Sequence, residues 1–316
     1  MNPAFSVIFL TTLIGVGQGL FLALYLTELL FWTNFVEMPP RWFFSIGSAI
    51  SLLFMISGLA ASFFHLGHPE RAWRSAAMWR TSWLSREVIV LPVSMALVAS
   101  YAVLHQIGWP AASVLTLTVG LLTALFCCLL FLCTGMIYAC IRFLQEWASP
   151  LTVINYALLG SASGFLLASV YALAEFSSML TIFIYTALGL TLLAGITRGL
   201  SLFRNKHLRP KSTPQSAIGI RHRNVVQKSQ GFMGGSFNTR EFFHGKSASW
   251  LKSIKWLFIL LVFIIPAVLL LVALQRESIL ILLPAFIIQY IGLLFERWYF
   301  FADANHPQNL YYQSIA

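Results

Sequence analysis

The sequence predicts an all-α integral membrane protein, a bundle of eight transmembrane helices with one long cytoplasmic loop. Only 9% of its 316 residues are charged and 59% are hydrophobic, with a mean hydropathy of +0.80, whereas about a quarter of a soluble domain is charged. Eight apolar runs reach the roughly 20 residues that a helix needs to cross a bilayer. They lack the alternating pattern of membrane β-barrel strands.

Each run has features that support a spanning helix. The first follows no basic segment and exceeds a signal-peptide core in length, so we expect it to remain as a helix. The second and fifth repeat small residues, which is typical of close helix packing. The fourth holds four cysteines without a C-x-x-C pair, which indicates free thiols. Prolines in the third, seventh and eighth predict tolerated kinks. The sixth contains one charge, Arg198. The predicted spans are 5–32, 42–64, 87–108, 111–141, 151–174, 177–203, 250–275 and 278–301.

The positive charges lie almost wholly on one side of the predicted bundle. An even number of spans puts both termini on one side, and cytoplasmic loops are enriched in Lys and Arg. The loops on the opposite side offer only Arg41 and Arg276. We therefore expect both termini to be cytoplasmic, in a bacterial inner (plasma) membrane. The net charge of +10 then follows from topology and from contact with membrane lipid, and no nucleic-acid partner is expected.

The most informative segment is 61–89, ASFFHLGHPERAWRSAAMWRTSWLSREVI, which is polar between two apolar runs. Polar residues at a membrane edge often mark function. Its arginines are equally explained as topology-setting charges. Arg71 lies close to His65 across a Gly-x-Pro turn and is favoured for ligand or partner contact.

Ionisable groups within or beside the apolar runs each need a partner. If their helices are neighbours, one group meets at the cytoplasmic face and a second lies near the opposite face. The first group is His65, Glu87, Arg198, Glu296 and Arg297; the second is Glu28, Glu175, His105 and Arg276.

His65 and Glu87 are the leading candidates for proton transfer. Histidine titrates near neutral pH, and a carboxylate beside it can orient it and relay a proton. Oxidation of a quinol releases two protons, so it needs groups of this type. Structural explanations remain open, because His65 can cap its helix and Glu87 can be a favourable anion at a helix N-terminus.

A metal centre within this chain is not expected. A membrane cytochrome needs facing pairs of axial ligands within its helices. Most histidines lie outside the predicted spans, and His65 and His105 fall near opposite faces. The cysteines lack the spacing of a cluster. We expect no haem, metal or iron–sulfur cluster bound by this chain.

The order HLGHPERAWRS followed by SWLSRE resembles the membrane anchor subunit of the dimethyl sulfoxide reductase family. The pattern covers His-Leu-Gly, Pro, Arg-Ala-aromatic, Ser and Leu-Ser-x-Glu. Weaker matches are the eight-span layout, Gly-Gln-Gly at 17–19, and Glu296-Arg297 followed by an aromatic residue. The matching positions of the segment are His65, Leu66, Gly67, Pro69, Arg71, Ala72, Trp73, Ser75, Leu84, Ser85 and Glu87.

The resemblance implies a subunit that anchors a molybdopterin catalytic subunit and an iron–sulfur subunit. It also implies that the subunit oxidises menaquinol in anaerobic respiration and passes electrons to the nearest cluster, without a redox centre of its own. Carried over by position, it implies His65 and Glu87 at the quinol ring. Gly67, Arg71, Trp73 and Ser75 would shape the site or dock a partner, with Glu296 and Arg297 as secondary candidates.

The predicted chain organisation has three parts. Residues 1–204 hold six spans and the quinol-site segment, 205–249 form a long basic loop, and 250–316 hold two spans and a tail. The loop carries Phe232, Phe237, Phe242 and Phe243 among glycines, whereas a linker is poor in aromatics. We expect the loop to pack on the bundle or on a partner, or to lie at the headgroup level.

Three other functions stay open. An ion-coupled secondary transporter would place charges at the bilayer midplane, whereas these charges crowd the ends of the runs. A purely structural anchor would keep the arginines and lose the roles of His65 and Glu87. In a complex with a dehydrogenase, the same site residues would serve the reduction of quinone instead of the oxidation of quinol.

Overall fold

The structure, a computed structural model, describes residues 1–40, 42–209, 213–226 and 244–307, and these residues form helices and no strand. Eight helices are long and apolar enough to span a membrane, so the predicted fold class is confirmed. A short helix, α7, lies in the long loop. The helices are α1 Phe5–Trp32, α2 Phe43–Ser62, α3 Trp83–Gln106, α4 Val114–Ala139, α5 Pro150–Glu175, α6 Leu180–Lys206, α7 Pro214–Ile218, α8 Ala248–Ala273 and α9 Ile279–Ala302.

Serine caps begin five of the spanning helices. The hydroxyls of Ser82, Ser113, Ser149, Ser247 and Ser278 accept hydrogen bonds from backbone N–H groups in the first turn of α3, α4, α5, α8 and α9. Such a cap satisfies an N–H group that has no partner within the helix and is worth about 1 kcal/mol. The caps therefore mark where these five spans leave the polar loops.

The central helix of the bundle is α1, which packs against α2, α4, α5 and α9. Its Gly-Gln-Gly sequence makes three different contacts. A Cβ at Gly17 would lie 2.7 Å from the Ser51 carbonyl oxygen of α2, and one at Gly19 would lie 2.5 Å from the Gly160 carbonyl oxygen of α5. Between them, the Gln18 side chain donates to the Cys127 carbonyl of α4 at 2.8 Å. Three consecutive residues thus hold three neighbouring helices against α1.

Successive spans alternate in direction, so one end of the bundle carries both the start of α1 and the end of α9. We call this end the terminus face. The helices α1, α3, α5 and α8 begin there, and α2, α4, α6 and α9 end there. Pairs that are adjacent in the chain pack together, namely α1 with α2, α3 with α4, α5 with α6, and α8 with α9.

The prolines within the spans have different local effects. Pro92 and Pro284 lie inside continuous α-helices. In α8, a π-helical turn over Leu260–Ile264 precedes Pro266. The Val262 carbonyl in this turn accepts a hydrogen bond from the Gln289 side chain of α9 at 3.3 Å. A neighbouring helix thus satisfies a carbonyl in the irregular turn, as a bundle requires.

The connection between α6 and α8 is the long basic loop predicted from the sequence. Its described part contains α7, which begins with a capping box formed by Thr213 and Ser216. The four phenylalanines expected to pack, Phe232, Phe237, Phe242 and Phe243, lie outside the described residues. Their packing stays a prediction.

Candidate functional site

Glu87 is a buried carboxylate in the part of the bundle nearest the terminus face. It is the fifth residue of α3, and its side chain accepts a hydrogen bond from the Thr134 hydroxyl of α4. Only 8% of its surface is exposed. The first turn of α3 contains no acidic residue, so the helix-dipole explanation of Glu87 loses its support. A carboxylate buried this far within a helical bundle is costly unless paired, which makes it a candidate functional group.

Glu87 faces a small polar cavity between α1, α3, α4, α5 and α9. The cavity has a volume of about 20 Å³, which is room for a single water molecule. Its polar wall joins groups from all five helices and its remaining wall is apolar. The polar lining consists of Thr11, Thr12, Gln18, Glu87, Thr134, Tyr156, Ser163 and Arg297.

Arg297 connects the cavity to a buried charge cluster. Its guanidinium lies over the ring of Tyr156, 3.6 Å from the centroid, and its Nε is 3.3 Å from Glu296 Oε2. On the other side, Arg198 Nε of α6 lies 2.8 Å from Glu296 Oε1. Both approaches are ion pairs without aligned hydrogen bonds. With Glu87 ionised, the two carboxylates and two guanidinium groups sum to zero charge.

His65 lies at the same end of the bundle but does not touch Glu87. It closes a short 3-10 turn, Phe63–His65, that follows α2, and its side chain is exposed. Within the described ranges, the side chain of His65 makes no hydrogen bond or ion pair. The direct His65–Glu87 contact that we expected is therefore absent, because α2 ends at Ser62 and His65 lies on the exposed turn that follows.

The segment after His65 forms an exposed basic and aromatic surface. Residues Pro69–Ala76 form a 3-10 helix that packs on α3. Trp73 is exposed and carries the Arg74 guanidinium over its ring, while Arg71 lies 3.7 Å from Glu70. No atom would meet a Cβ at Gly67, and the Ser75 hydroxyl donates to the Ala72 carbonyl. These four candidates therefore line a surface rather than the cavity.

Two members of the second predicted group, Glu28 and His105, meet near the opposite face, whereas Glu175 and Arg276 are exposed and do not join them. Glu28 Oε1 lies 3.7 Å from His105 Nε2, and the two side chains are almost fully buried. The Tyr101 hydroxyl donates to Glu28 Oε2 at 2.6 Å, and the Ala112 backbone N–H donates to Oε1 at 3.0 Å. Through these contacts, the loop between α3 and α4 is held against α1.

Sequence reasoning found the charged members of the cavity and missed its neutral ones. Glu87 and Arg297 were candidates because charges are rare in spans. Thr134 and Tyr156 carry no such signal, since Thr and Tyr are common in membrane helices. Gln18 did carry a sequence signal, because it lies between two glycines in an apolar run. We had used that pattern only as a weak match to the family.

The described residues contain no group of three or more His, Cys, Asp or Glu side chains placed to hold a metal ion. All four cysteines are free thiols, with Cys127 and Cys133 buried and Cys128 and Cys140 exposed. The expectation that this chain binds no haem, metal or cluster stays a prediction.

Comparison with known proteins identifies the kind of subunit. The family described as DMSO reductase anchor subunit (DmsC) matches residues 1–312. The chain belongs to the DMSO reductase anchor subunit family. It is also 53% identical over 325 residues to a sulfite dehydrogenase subunit of Allochromatium vinosum, and the match covers all of both chains. As a member of this family of anchor subunits, this multi-pass membrane protein attaches an oxidoreductase complex to the membrane and associates with its other subunits.

Proposed function

We propose that this anchor subunit exchanges electrons and protons between membrane quinone and its partner subunits, with Glu87 as the internal proton-transfer group. The proposed partners are an iron–sulfur subunit and a molybdopterin catalytic subunit, docked at a bacterial inner membrane with both termini of this chain cytoplasmic. The observation that carries the proposal is the buried Glu87 facing a water-sized polar cavity. This cavity lies at the same end of the bundle as the exposed segment with His65 and Arg71.

The chemistry requires two electrons and two protons to move together. A quinone gains both to become a quinol, and a quinol loses both when it is oxidised. A cavity of about 20 Å³ is too small for a quinone ring, so we assign the ring to the bundle end beside His65. Protons would pass between the ring and Glu87 through the cavity. Arg297 supplies the positive charge that offsets the Glu87 carboxylate when it is ionised.

The full-length similarity to a sulfite dehydrogenase subunit favours quinone reduction as the physiological direction. Oxidation of sulfite with one water gives sulfate, two protons and two electrons. The partner subunits would carry out that step, and the two electrons with two protons would convert quinone to quinol at this chain.

Menaquinol oxidation is the second candidate, because the family description favours a reductase complex. In that direction, Glu87 and His65 accept the two protons that the quinol releases, and the electrons pass to the iron–sulfur partner. The same site residues serve both directions. Only the partner's substrate decides between them.

The test uses the assembled complex in native membranes. We expect Glu87→Gln to lower the rate of sulfite-dependent quinone reduction by about 100-fold, since a positioned proton-transfer group is worth roughly 10² to 10⁴ in rate. Electron transfer from sulfite to a water-soluble dye bypasses this site and should be unchanged. If sulfite reduces neither acceptor, the same variants are tested for menaquinol-dependent reduction of dimethyl sulfoxide.

Matched variants separate proton transfer from general damage. Glu175→Gln changes an exposed carboxylate at the end of α5 and should retain the quinone-linked rate. His68→Ala is the control for His65→Ala, because His68 lies three residues further on and is exposed beside Glu70. If both Glu87→Gln and His65→Ala reduce quinone at the wild-type rate, the proposal is wrong and the chain is a purely structural anchor.

A further inference from the structure

A second, larger pocket opens at the terminus face between α6, α8 and α9. Its volume is about 480 Å³, within the range of about 300 to 1,000 Å³ that small-molecule sites occupy. It does not include any of the quinone-site candidates, so its function is independent of the function proposed above. Its charged lining consists of Glu146, Lys206, Lys255 and Asp303.

Two carboxylates line this pocket. Asp303, just after the end of α9, accepts hydrogen bonds from the Asn205 side chain at 3.1 Å and from the Tyr299 hydroxyl at 2.9 Å. Glu146 lies in the loop between α4 and α5, where burial raises the pKa of its carboxyl. The N-terminal ammonium of Met1 also interacts electrostatically with both carboxylates, but burial lowers its pKa to about 6, so at neutral pH a ligand cation would still offset the cost of keeping Glu146 ionised.

Two ammonium groups line the same pocket. Lys206 is the last residue of α6, and Lys255 lies in α8, about 10 Å along the helix from its start. The Lys255 Nζ lies 5.8 Å from the ring centroid of Trp256, which is exposed. Lysine and tryptophan at a helix end are typical of the lipid headgroup level.

The remaining wall is apolar. Leu202, Phe203 and Ile259 line it, and Phe203 is exposed on the outside of α6. A ligand in this pocket therefore meets two anions, two cations and a hydrocarbon surface at the level of the membrane interface.

We propose that this pocket binds a zwitterionic aminophospholipid, a phosphatidylethanolamine. Its phosphate lies between Lys206 and Lys255, its ammonium group donates to Glu146 and Asp303, and its acyl chains follow the apolar wall. A phosphatidylglycerol has no cation for the carboxylates. A phosphatidylcholine has a quaternary ammonium group that donates no hydrogen bond, and an uncharged quinone ring leaves both charged pairs unmatched.

The test is native mass spectrometry of the detergent-purified, delipidated complex titrated with phosphatidylethanolamine, phosphatidylcholine or phosphatidylglycerol. We expect phosphatidylethanolamine to be retained about 10-fold more strongly than either of the others. Equal retention of the three lipids would contradict the proposal. So would a preference for phosphatidylglycerol, or the recovery of a quinone that phosphatidylethanolamine displaces.

Substitutions locate the binding to this pocket. Lys255→Met and Glu146→Gln should each abolish the preference for phosphatidylethanolamine. Lys252→Met is the matched control, because Lys252 is exposed on the same helix and does not line the pocket. A preference that survives in both pocket variants would place the lipid elsewhere and overturn the assignment. The wild-type titration decides the headgroup chemistry even where a variant fails to assemble.

Discussion

At the scale of single residues, Glu28 shows how a buried acid is made tolerable in a membrane bundle. Its two carboxylate oxygens receive donors from different elements, the Tyr101 hydroxyl of α3 and the Ala112 backbone N–H of the following loop. Ala112 has a φ of 57°, which is costly for a residue with a Cβ. The hydrogen bond to Glu28 helps to hold the loop in that conformation.

Glu28→Gln should destabilise the protein by about 1 to 3 kcal/mol. The amide nitrogen would face one of two donors that now point at the carboxylate, and a buried donor without an acceptor carries that cost. The measurement is thermal unfolding in detergent. Glu37→Gln, at an exposed glutamate in the loop after α1, is the control and should leave the unfolding temperature unchanged. Equal unfolding temperatures for both variants would show that the Glu28 contacts contribute no stability.

The sequence predicted the positions of the buried charged residues but not the groups that donate hydrogen bonds to them. It predicted that Glu28 and His105 lie near one face, since charges in apolar runs need partners. It did not predict Tyr101 or the Ala112 N–H, because these contacts depend on how far α1, α3 and the loop are shifted along one another. One sequence does not contain that register.

At the scale of helices, the spans were predicted closely, and the largest difference is at the start of the third. The prediction for α1 matches the structure at both ends, 5–32. The prediction began the third span at Glu87, whereas α3 begins at Trp83. Hydropathy excluded Ser85 and Arg86, but Ser82 caps the helix and Arg86 turns its guanidinium over Trp83 at 4.2 Å. A polar first turn at the membrane edge is still helix.

Gly19→Ala tests the close approach of α1 and α5. The added Cβ would lie within 2.9 Å of backbone atoms of Gly160 and Gly164, so the helices must separate, at a cost of about 1 to 3 kcal/mol. We expect a lower unfolding temperature and less assembled complex in membranes.

Gly199→Ala is the matched control, because no atom lies within 4 Å of a Cβ at Gly199. It should be neutral or slightly stabilising, since alanine favours helix more than glycine does. Equal stability of the two variants would mean that α1 and α5 pack less tightly than described.

At the scale of the whole molecule, the cavity shows what the topology contributes to the site. Glu87 and Arg297 are more than two hundred residues apart in the chain, and they line one cavity because α3 begins and α9 ends at the same face. Even-numbered topology predicts the shared face. It does not predict which side of each helix points inward, and this is why His65 was expected beside Glu87 and lies outside.

A native cysteine can test the predicted orientation in the membrane. Cys140 is exposed directly after α4 at the terminus face, whereas Cys128 lies mid-helix and Cys127 and Cys133 are buried. A membrane-impermeant maleimide should label Cys140 in inverted vesicles and not in intact spheroplasts, because the Lys- and Arg-rich loops predict that this face is cytoplasmic.

Cys140→Ser supplies the control for this labelling and should remove the signal. Labelling of the parent protein in intact spheroplasts would reverse the orientation. The partner subunits would then dock on the outer side of the membrane.

The contacts of α1 also bear on the order in which the bundle is completed. Of the eight spans, α1 is synthesised before the others, yet the backbone that meets Gly19 belongs to α5, and Arg297, which lines the same cavity as Thr11 and Thr12, belongs to α9. We therefore expect the cavity-lining side of α1 to lack its α9 neighbour until the last of the eight spans is inserted. A chain whose synthesis stops before α9 would leave the cavity-lining side chains of α1 without this neighbour. Its degradation would then depend on exposure of the central helix of the bundle rather than on an unfolded terminus.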